Sequence, residues 1–121
     1  MSISGIGIDI IEVNRIEEII DRYGDKFLRK IFTPAEIQYC SSKIDSASYA
    51  ARFATKEAVF KSTGLGLRDG MRWVDVEVVN DQAGKPRVNL HGRTAEILKG
   101  KKIHVSISHT RDLAIAIIII E

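Results

Sequence analysis

Cysteine occurs once in this chain, at Cys40. No internal disulfide is possible, so the fold must rest on its packed core, and the usage suits a reducing, cytoplasmic compartment. Charge of neither sign dominates: 18 Lys and Arg stand against 16 Asp and Glu, a net +2. So slight an excess gives no argument for nucleic acid as a partner, and only the placement of the cations can speak about partners. Long apolar runs are missing. The longest, Leu113 to Ile120, is far too short to span a bilayer as a helix, so no membrane role is expected. No basic segment precedes an apolar run at the start, as a signal peptide needs. Internal repeats, low-complexity tracts and linker-like shifts in composition are lacking as well.

What is present is ordinary globular usage, 45% hydrophobic and 28% charged over 121 residues. That predicts one domain, residues 1–121, around one core. The stretch that organises it runs Arg52-Phe53-Ala54-Thr55-Lys56-Glu57-Ala58-Val59-Phe60-Lys61. Ala47, Ala50, Ala51, Ala54 and Ala58 recur at helical spacing and make a small apolar stripe that another element can approach closely. Gly64 fits a left-handed cap after this helix. Glu57 and Lys61 are four apart and share a face, and the plain reading of that pair is a surface ion pair.

Ahead of this helix, Ile6, Ile8 and Ile10 alternate with Gly7 and Asp9 as a strand with one apolar face. Asp9 points to the other face, where Gly5 and Gly7 leave bare backbone for a ligand or a second element. Val13, Ile16, Ile20 and Tyr23 then follow helical spacing up to Gly24. Arg15, Arg22 and Arg29, spaced by seven, form a stripe if the helical direction continues. Such a stripe is either a solvated face or a docking surface for an acidic partner. Thr33-Pro34-Ala35-Glu36 carries a capping box and starts a helix that reaches Cys40 or Ser42. Cys40 has no neighbouring His or second Cys and reads as buried filler.

After Gly64 the chain is glycine-rich to Gly70. Lys61 precedes these glycines and ends a helix, the wrong order for a phosphate-binding P-loop. Trp73 to Asn80 reads as a strand, Asp81 to Pro86 as a turn, and Arg87 to Leu90 as the return strand of a hairpin. Thr94 to Lys99 is a short helix. Ile103, Val105 and Ile107 alternate with His104, Ser106 and Ser108, and His109 to Asp112 turns the chain into the last strand, Leu113 to Ile120. The unbroken apolar run of that strand predicts burial on both faces, and in a chain this small the second cover points to another copy.

Three places offer convergent chemistry: Asp9 at a strand end, Glu57 with Lys61 on a helix, and Ser106, Ser108 and His109 near a turn. Two carboxylates with few other ligands suit Mg²⁺, which takes its remaining oxygens from water and substrate phosphate. A lysine one turn away can neutralise charge on a phosphate leaving group. His109 fits either a phosphate contact or a hydrogen-bonded turn histidine.

Gly5-Ile6-Gly7-Ile8-Asp9, Phe53-Ala54-Thr55-Lys56-Glu57-Ala58-Val59-Phe60-Lys61 and Val105-Ser106-Ile107-Ser108-His109-Thr110 together resemble the three motifs of holo-[acyl-carrier-protein] synthases, the short bacterial-type 4′-phosphopantetheinyl transferases. The hairpin turn Gly84-Lys85-Pro86 fits too. The resemblance implies an α+β fold, mainly antiparallel sheet packed against a long central helix and shorter helices. It implies Mg²⁺-dependent transfer of the phosphopantetheine arm of coenzyme A to a serine of apo acyl carrier protein, with release of adenosine 3′,5′-bisphosphate. By position, Asp9 and Glu57 match the family's metal ligands and Lys61 its phosphate-contacting lysine. Arg52, Lys61, Gly64, His109 and Thr110 match its coenzyme A contacts, partly supplied by a neighbouring subunit of a homotrimer. Glu57, through a metal-bound water, is the general base of this reading. Larger relatives carry a third acid two residues after the first, where this chain has Ile11. Acyl carrier proteins are acidic, so Arg15 and Arg22 become the docking face. The competing readings are a Mg²⁺-dependent pyrophosphate or phosphodiester hydrolase and a non-catalytic adaptor for acidic proteins.

Overall fold

The structure is a computed structural model that describes residues 2–121. Strand β1 (Gly5–Glu12) leads into helices α1 (Val13–Tyr23), α2 (Asp25–Ile31), α3 (Pro34–Ser41) and the long α4 (Ala47–Ser62). A hairpin of β2 (Val76–Asn80) and β3 (Pro86–Leu90), the short helix α5 (Gly92–Ile97), and strands β4 (Ile103–His109) and β5 (Leu113–Ile120) complete it. The main sheet is antiparallel in the order β1-β5-β4, and α4 packs against one side of it. The architecture is therefore α+β, with antiparallel sheet against a long central helix, as expected from the sequence.

The contact between α4 and the sheet is made by what is absent. A methyl group on Gly7 would lie 1.9 Å from the Ala58 carbonyl oxygen, and one on Gly5 would lie 2.3 Å from that of Ser62. Facing them, Ala50, Ala54 and Ala58 have no exposure at all. Small residues on both sides let the helix backbone settle directly on the strand. This decides which face of β1 is inside. The glycine face packs on α4, and the alternating isoleucines turn outward, with Ile6, Ile8 and Ile10 more than half exposed.

Register carries that choice across the sheet. Ile6, Ile8 and Ile10 lie opposite Ile119, Ile117 and Ile115 of β5 on the outer face. Ala114, Ala116, Ile118 and Ile120 are buried on the inner face. Burial of β5 on both faces is thus not found within one chain: its outer isoleucines are only partly covered.

Three local expectations change. Gly24, at φ +56°, ends α1 and redirects the chain, so Arg29 lies on α2 and the arginine stripe is interrupted. Trp73–Asp75 is a 3-10 turn rather than the start of β2. Its cause is Asp75, whose buried carboxylate accepts from the Arg72 N–H at 3.0 Å and the Thr94 hydroxyl at 3.3 Å. Helix α5 begins two residues early, at Gly92, where φ is +55° and a Cβ would sit 2.8 Å from the same carboxylate.

The capping box on α3 forms as its sequence requires, with Thr33 and Glu36 bonded reciprocally. Glu36 has a second task. Its carboxylate receives the Lys56 ammonium at 2.8 Å and the Val78 N–H at 2.9 Å, and both charged side chains are fully buried. Lys56 also donates to the carbonyls of Trp73 and Val76. One ion pair therefore ties α4 to the start of α3 and to the hairpin. Phe53 stacks on Trp73 beside it, with centroids 5.0 Å apart.

Candidate active site

Asp9 lies on the inner face of β1, opposite Ala116, near the end where α4 crosses. The glycine floor holds the strand against α4, and this brings Asp9 next to Glu57 and Lys61. The Lys61 ammonium donates to Asp9 Oδ1 at 2.8 Å and to the Ile8 carbonyl at 3.2 Å. The ion pair expected between Glu57 and Lys61 is replaced by this contact between helix and strand. Glu57 stays in the cavity as a carboxylate pushed above its ordinary range, first by partial burial and then by the charge of Asp9, with Lys61 opposing.

Asp9, Glu57, Arg15, Phe53, Ile16 and Leu113 share a cavity of about 420 Å³. Strand β1 supplies Asp9 and Glu12 to it, helix α1 supplies Arg15 and helix α4 supplies Glu57. A neighbouring groove of about 750 Å³ shares Ile19 with it and is walled by Arg22, Lys26 and Lys30 over Tyr23 and Phe27. Arg15 thus faces the acids, while Arg22 faces the groove. Arg29 stands apart, on a surface shared with Pro34 and Ile37.

The other predicted contact residues lie elsewhere. Arg52 is buried on another side of α4, where its Nη2 donates to Asn80 at 2.8 Å and its guanidinium lies 4.3 Å from the Tyr39 ring centroid. Its Nε is buried without a partner. Gly64 follows α4 at φ +77°, the left-handed conformation anticipated for it. His109 is exposed at the end of β4. The Thr110 hydroxyl accepts the N–H groups of Asp112 and Leu113 at 3.2 and 3.1 Å and shapes the β4–β5 turn. None of these four bonds to Asp9, Glu57 or Lys61. Cys40 is buried, its thiol pushed up to about 11 chiefly by desolvation, which agrees with filler.

A family model described as the 4′-phosphopantetheinyl transferase superfamily matches residues 5–118. The chain belongs to that superfamily. It is 48% identical to a holo-[acyl-carrier-protein] synthase of Koribacter versatilis, with 98% of each chain covered. Among solved structures it is similar to the holo-[acyl-carrier-protein] synthase of Helicobacter pylori in complex with coenzyme A, with TM-score 0.87, 32% identity, and 96% and 99% of the two chains covered. It is likewise similar to the Bacillus anthracis enzyme in complex with CoA (3′,5′-ADP), with TM-score 0.83, 36% identity, and 98% and 96% covered.

Within this phosphopantetheinyl transferase the donor chemistry of the cavity fits a hard divalent cation. Of its three acids, Asp9 and Glu57 are oxygen-donor carboxylates close enough for the first to raise the proton affinity of the second, and Glu12 lines the same cavity. Position 11 is a buried isoleucine, and among the described residues no group of three or more His, Cys, Asp and Glu is placed to hold a metal. A cation here would take at most two side chains from the described residues, an arrangement that suits Mg²⁺ on phosphorylated substrates. Sequence reasoning missed the apolar lining, Phe53, Ile16, Ile19 and Leu113, because such residues look the same whether they fill a core or line a cavity.

Proposed function

We infer that the chain acts as a holo-[acyl-carrier-protein] synthase, moving the 4′-phosphopantetheine arm of coenzyme A onto a serine of apo acyl carrier protein. The observation that carries this reading is the meeting of Asp9 and Glu57 in one cavity that borders a cationic groove, with the Lys61 ammonium bonded to Asp9 at 2.8 Å. The names of its relatives support the substrate pair.

In the proposed reaction the carrier serine oxygen forms a bond to one phosphorus of the pyrophosphate, and the bridging P–O bond breaks. The electron pair of that bond leaves on adenosine 3′,5′-bisphosphate. Lys61 sits where its ammonium can meet the growing charge on this leaving group. Glu57, partly shielded from water, takes up the serine proton, and its raised proton affinity suits a base. Asp9 and Glu57 are the residues that would hold Mg²⁺, which when bound neutralises pyrophosphate charge. Arg22, Lys26 and Lys30 outnumber Glu18 around the apolar floor of the groove, and Arg15 adds charge from the adjoining cavity, the complement of a small acidic protein.

Arg52, Gly64, His109 and Thr110 are assigned to coenzyme A, with the contributions divided between neighbouring copies. Within one chain none of the four bonds to Asp9, Glu57 or Lys61, which is in keeping with that division. The outward isoleucines of β1 and β5 form an apolar face that further copies would cover, which supports the proposed homotrimer, and the single free cysteine suits the reducing cytoplasm proposed for it.

The test is direct. Incubation with coenzyme A, Mg²⁺ and apo carrier should raise the carrier's mass by one phosphopantetheine group. Asp9→Asn and Glu57→Gln should each lower the rate by about 10²-fold or more. Free phosphopantetheine with an unlabelled carrier would instead identify a hydrolase. Near-normal turnover in either variant would remove the assignment of these acids.

A further inference from the structure

Lys61 makes a choice that its spacing does not impose. On a helix, residues four apart are neighbours, so Glu57 is the partner nearest in sequence. The ammonium instead crosses to β1 and sits on Asp9 Oδ1 and the Ile8 carbonyl, at 2.8 and 3.2 Å. A carboxylate and a carbonyl are hard oxygen donors, the same kind that a divalent ion seeks. The side chain is also free to leave. Lys61 is 52% exposed and Asp9 only 15%, so the lysine end of the pair faces open solvent and the aspartate is enclosed.

We propose that Lys61 is a built-in counter-cation of the acid pair, holding Asp9 until a divalent ion displaces it and sends the ammonium to the substrate's phosphates. This deepens the proposed function and rests on its reading of Asp9 and Glu57 as a metal site. Three carboxylates, Asp9, Glu12 and Glu57, stand against two cations, Arg15 and Lys61, so the site is still short of one positive charge and a divalent ion gains by entering. The resident ammonium must nevertheless be moved, and until it moves it repels the newcomer. Binding of the pyrophosphate helps, because it offers the ammonium an alternative anion. Metal and substrate therefore favour each other through the position of one side chain, a coupling that runs equally in both directions. The arrangement also keeps two carboxylates from facing each other without compensation while the site waits.

The experiment is Mn²⁺ binding to the full chain without coenzyme A, followed by electron paramagnetic resonance at low ionic strength. Removing the ammonium in Lys61→Met should tighten Mn²⁺ about three- to tenfold, the scale of a partly exposed charge pair. Lys61→Arg keeps the charge and should bind as the wild type does. Lys101→Met, which changes net charge at a distant exposed site, should have no effect. In an Asp9→Asn background, Lys61→Met should no longer tighten binding. Equal or weaker Mn²⁺ binding by Lys61→Met overturns the counter-cation role, and so does the same gain in Lys101→Met. If Asp9→Asn and Glu57→Gln weaken Mn²⁺ binding while Lys61→Met leaves it unchanged, only the counter-cation falls. If those two leave Mn²⁺ binding untouched, the metal site itself falls, and this role with it.

Discussion

Gly7 of β1 lies directly under Ala58 of α4, so close that a Cβ on Gly7 would meet the Ala58 carbonyl oxygen at 1.9 Å, its carbon at 2.9 Å and the Ser62 nitrogen at 3.0 Å. All three atoms are backbone and cannot rotate aside. Gly7→Ala must therefore push strand and helix apart. The expected loss is at or above the ~1–3 kcal/mol typical of overpacking. Because Asp9 travels with the strand, transfer activity should fall further than the unfolded fraction explains. Urea unfolding and turnover measured on the same preparation check both. Stability within about 0.5 kcal/mol of wild type would show that the strand accommodates the methyl group.

The Glu36–Lys56 pair is buried on both sides and holds α3, α4 and the hairpin together. Removing one partner leaves the other charge in the core, so Glu36→Ala or Lys56→Met should each cost ~3–5 kcal/mol. The double variant should cost much less than the sum, since neither charge is stranded. A double-mutant cycle in urea measures this, and additive costs would contradict the pairing.

Arg15 faces the acid cavity, and Arg22 stands in the adjoining groove. Arg15→Glu should raise the apparent KM for the acidic carrier about tenfold and leave that for coenzyme A alone. The difference should shrink as salt is added. Equal effects on the two substrates would refute docking.

Glu77 supplies a pH handle away from the acid cavity. Its carboxyl is held below the ordinary 4.5, mainly by the Thr33 hydroxyl at 2.6 Å and then by His91 at 3.1 Å. A carboxyl depressed in the folded state stabilises it above that ordinary value, and the contribution disappears as pH falls through the lower folded value. The stability advantage of wild type over Glu77→Gln should therefore be full at neutral pH and shrink below pH 4.5. Thermal unfolding of both proteins across the acid range tests this, and an advantage that grows on acidification would reverse the sign.

Much of this layout is legible in the residues. The alanine stripe and the two glycines announce a close helix–strand contact, and Thr33 with Glu36 announces a capped helix. The same residues do not say which face of β1 is inside. The isoleucines offer one apolar face and the glycines a bare one open to a second element, and the depth of the Gly7–Ala58 contact decides that the bare face is inside. Helix α2 escaped notice because Gly24 reads as a stop, whereas its positive φ merely turns the chain into another helix. Glu36 shows one local role, and its bond to Lys56 is invisible because the two lie on different elements. Lys61 and Asp9 are likewise far apart in order, so the i, i+4 neighbour looked like the partner.

The outward isoleucines have one more consequence. Ile8 is more than half exposed and lies outside the interior that α4 and the sheet enclose, so a polar replacement there should leave each chain folded, and on the proposed homotrimer it should weaken association. On that proposal, opposite sides of one sheet would govern two separate traits, the persistence of the lone chain and its sociability, and engineering could adjust either without touching the other.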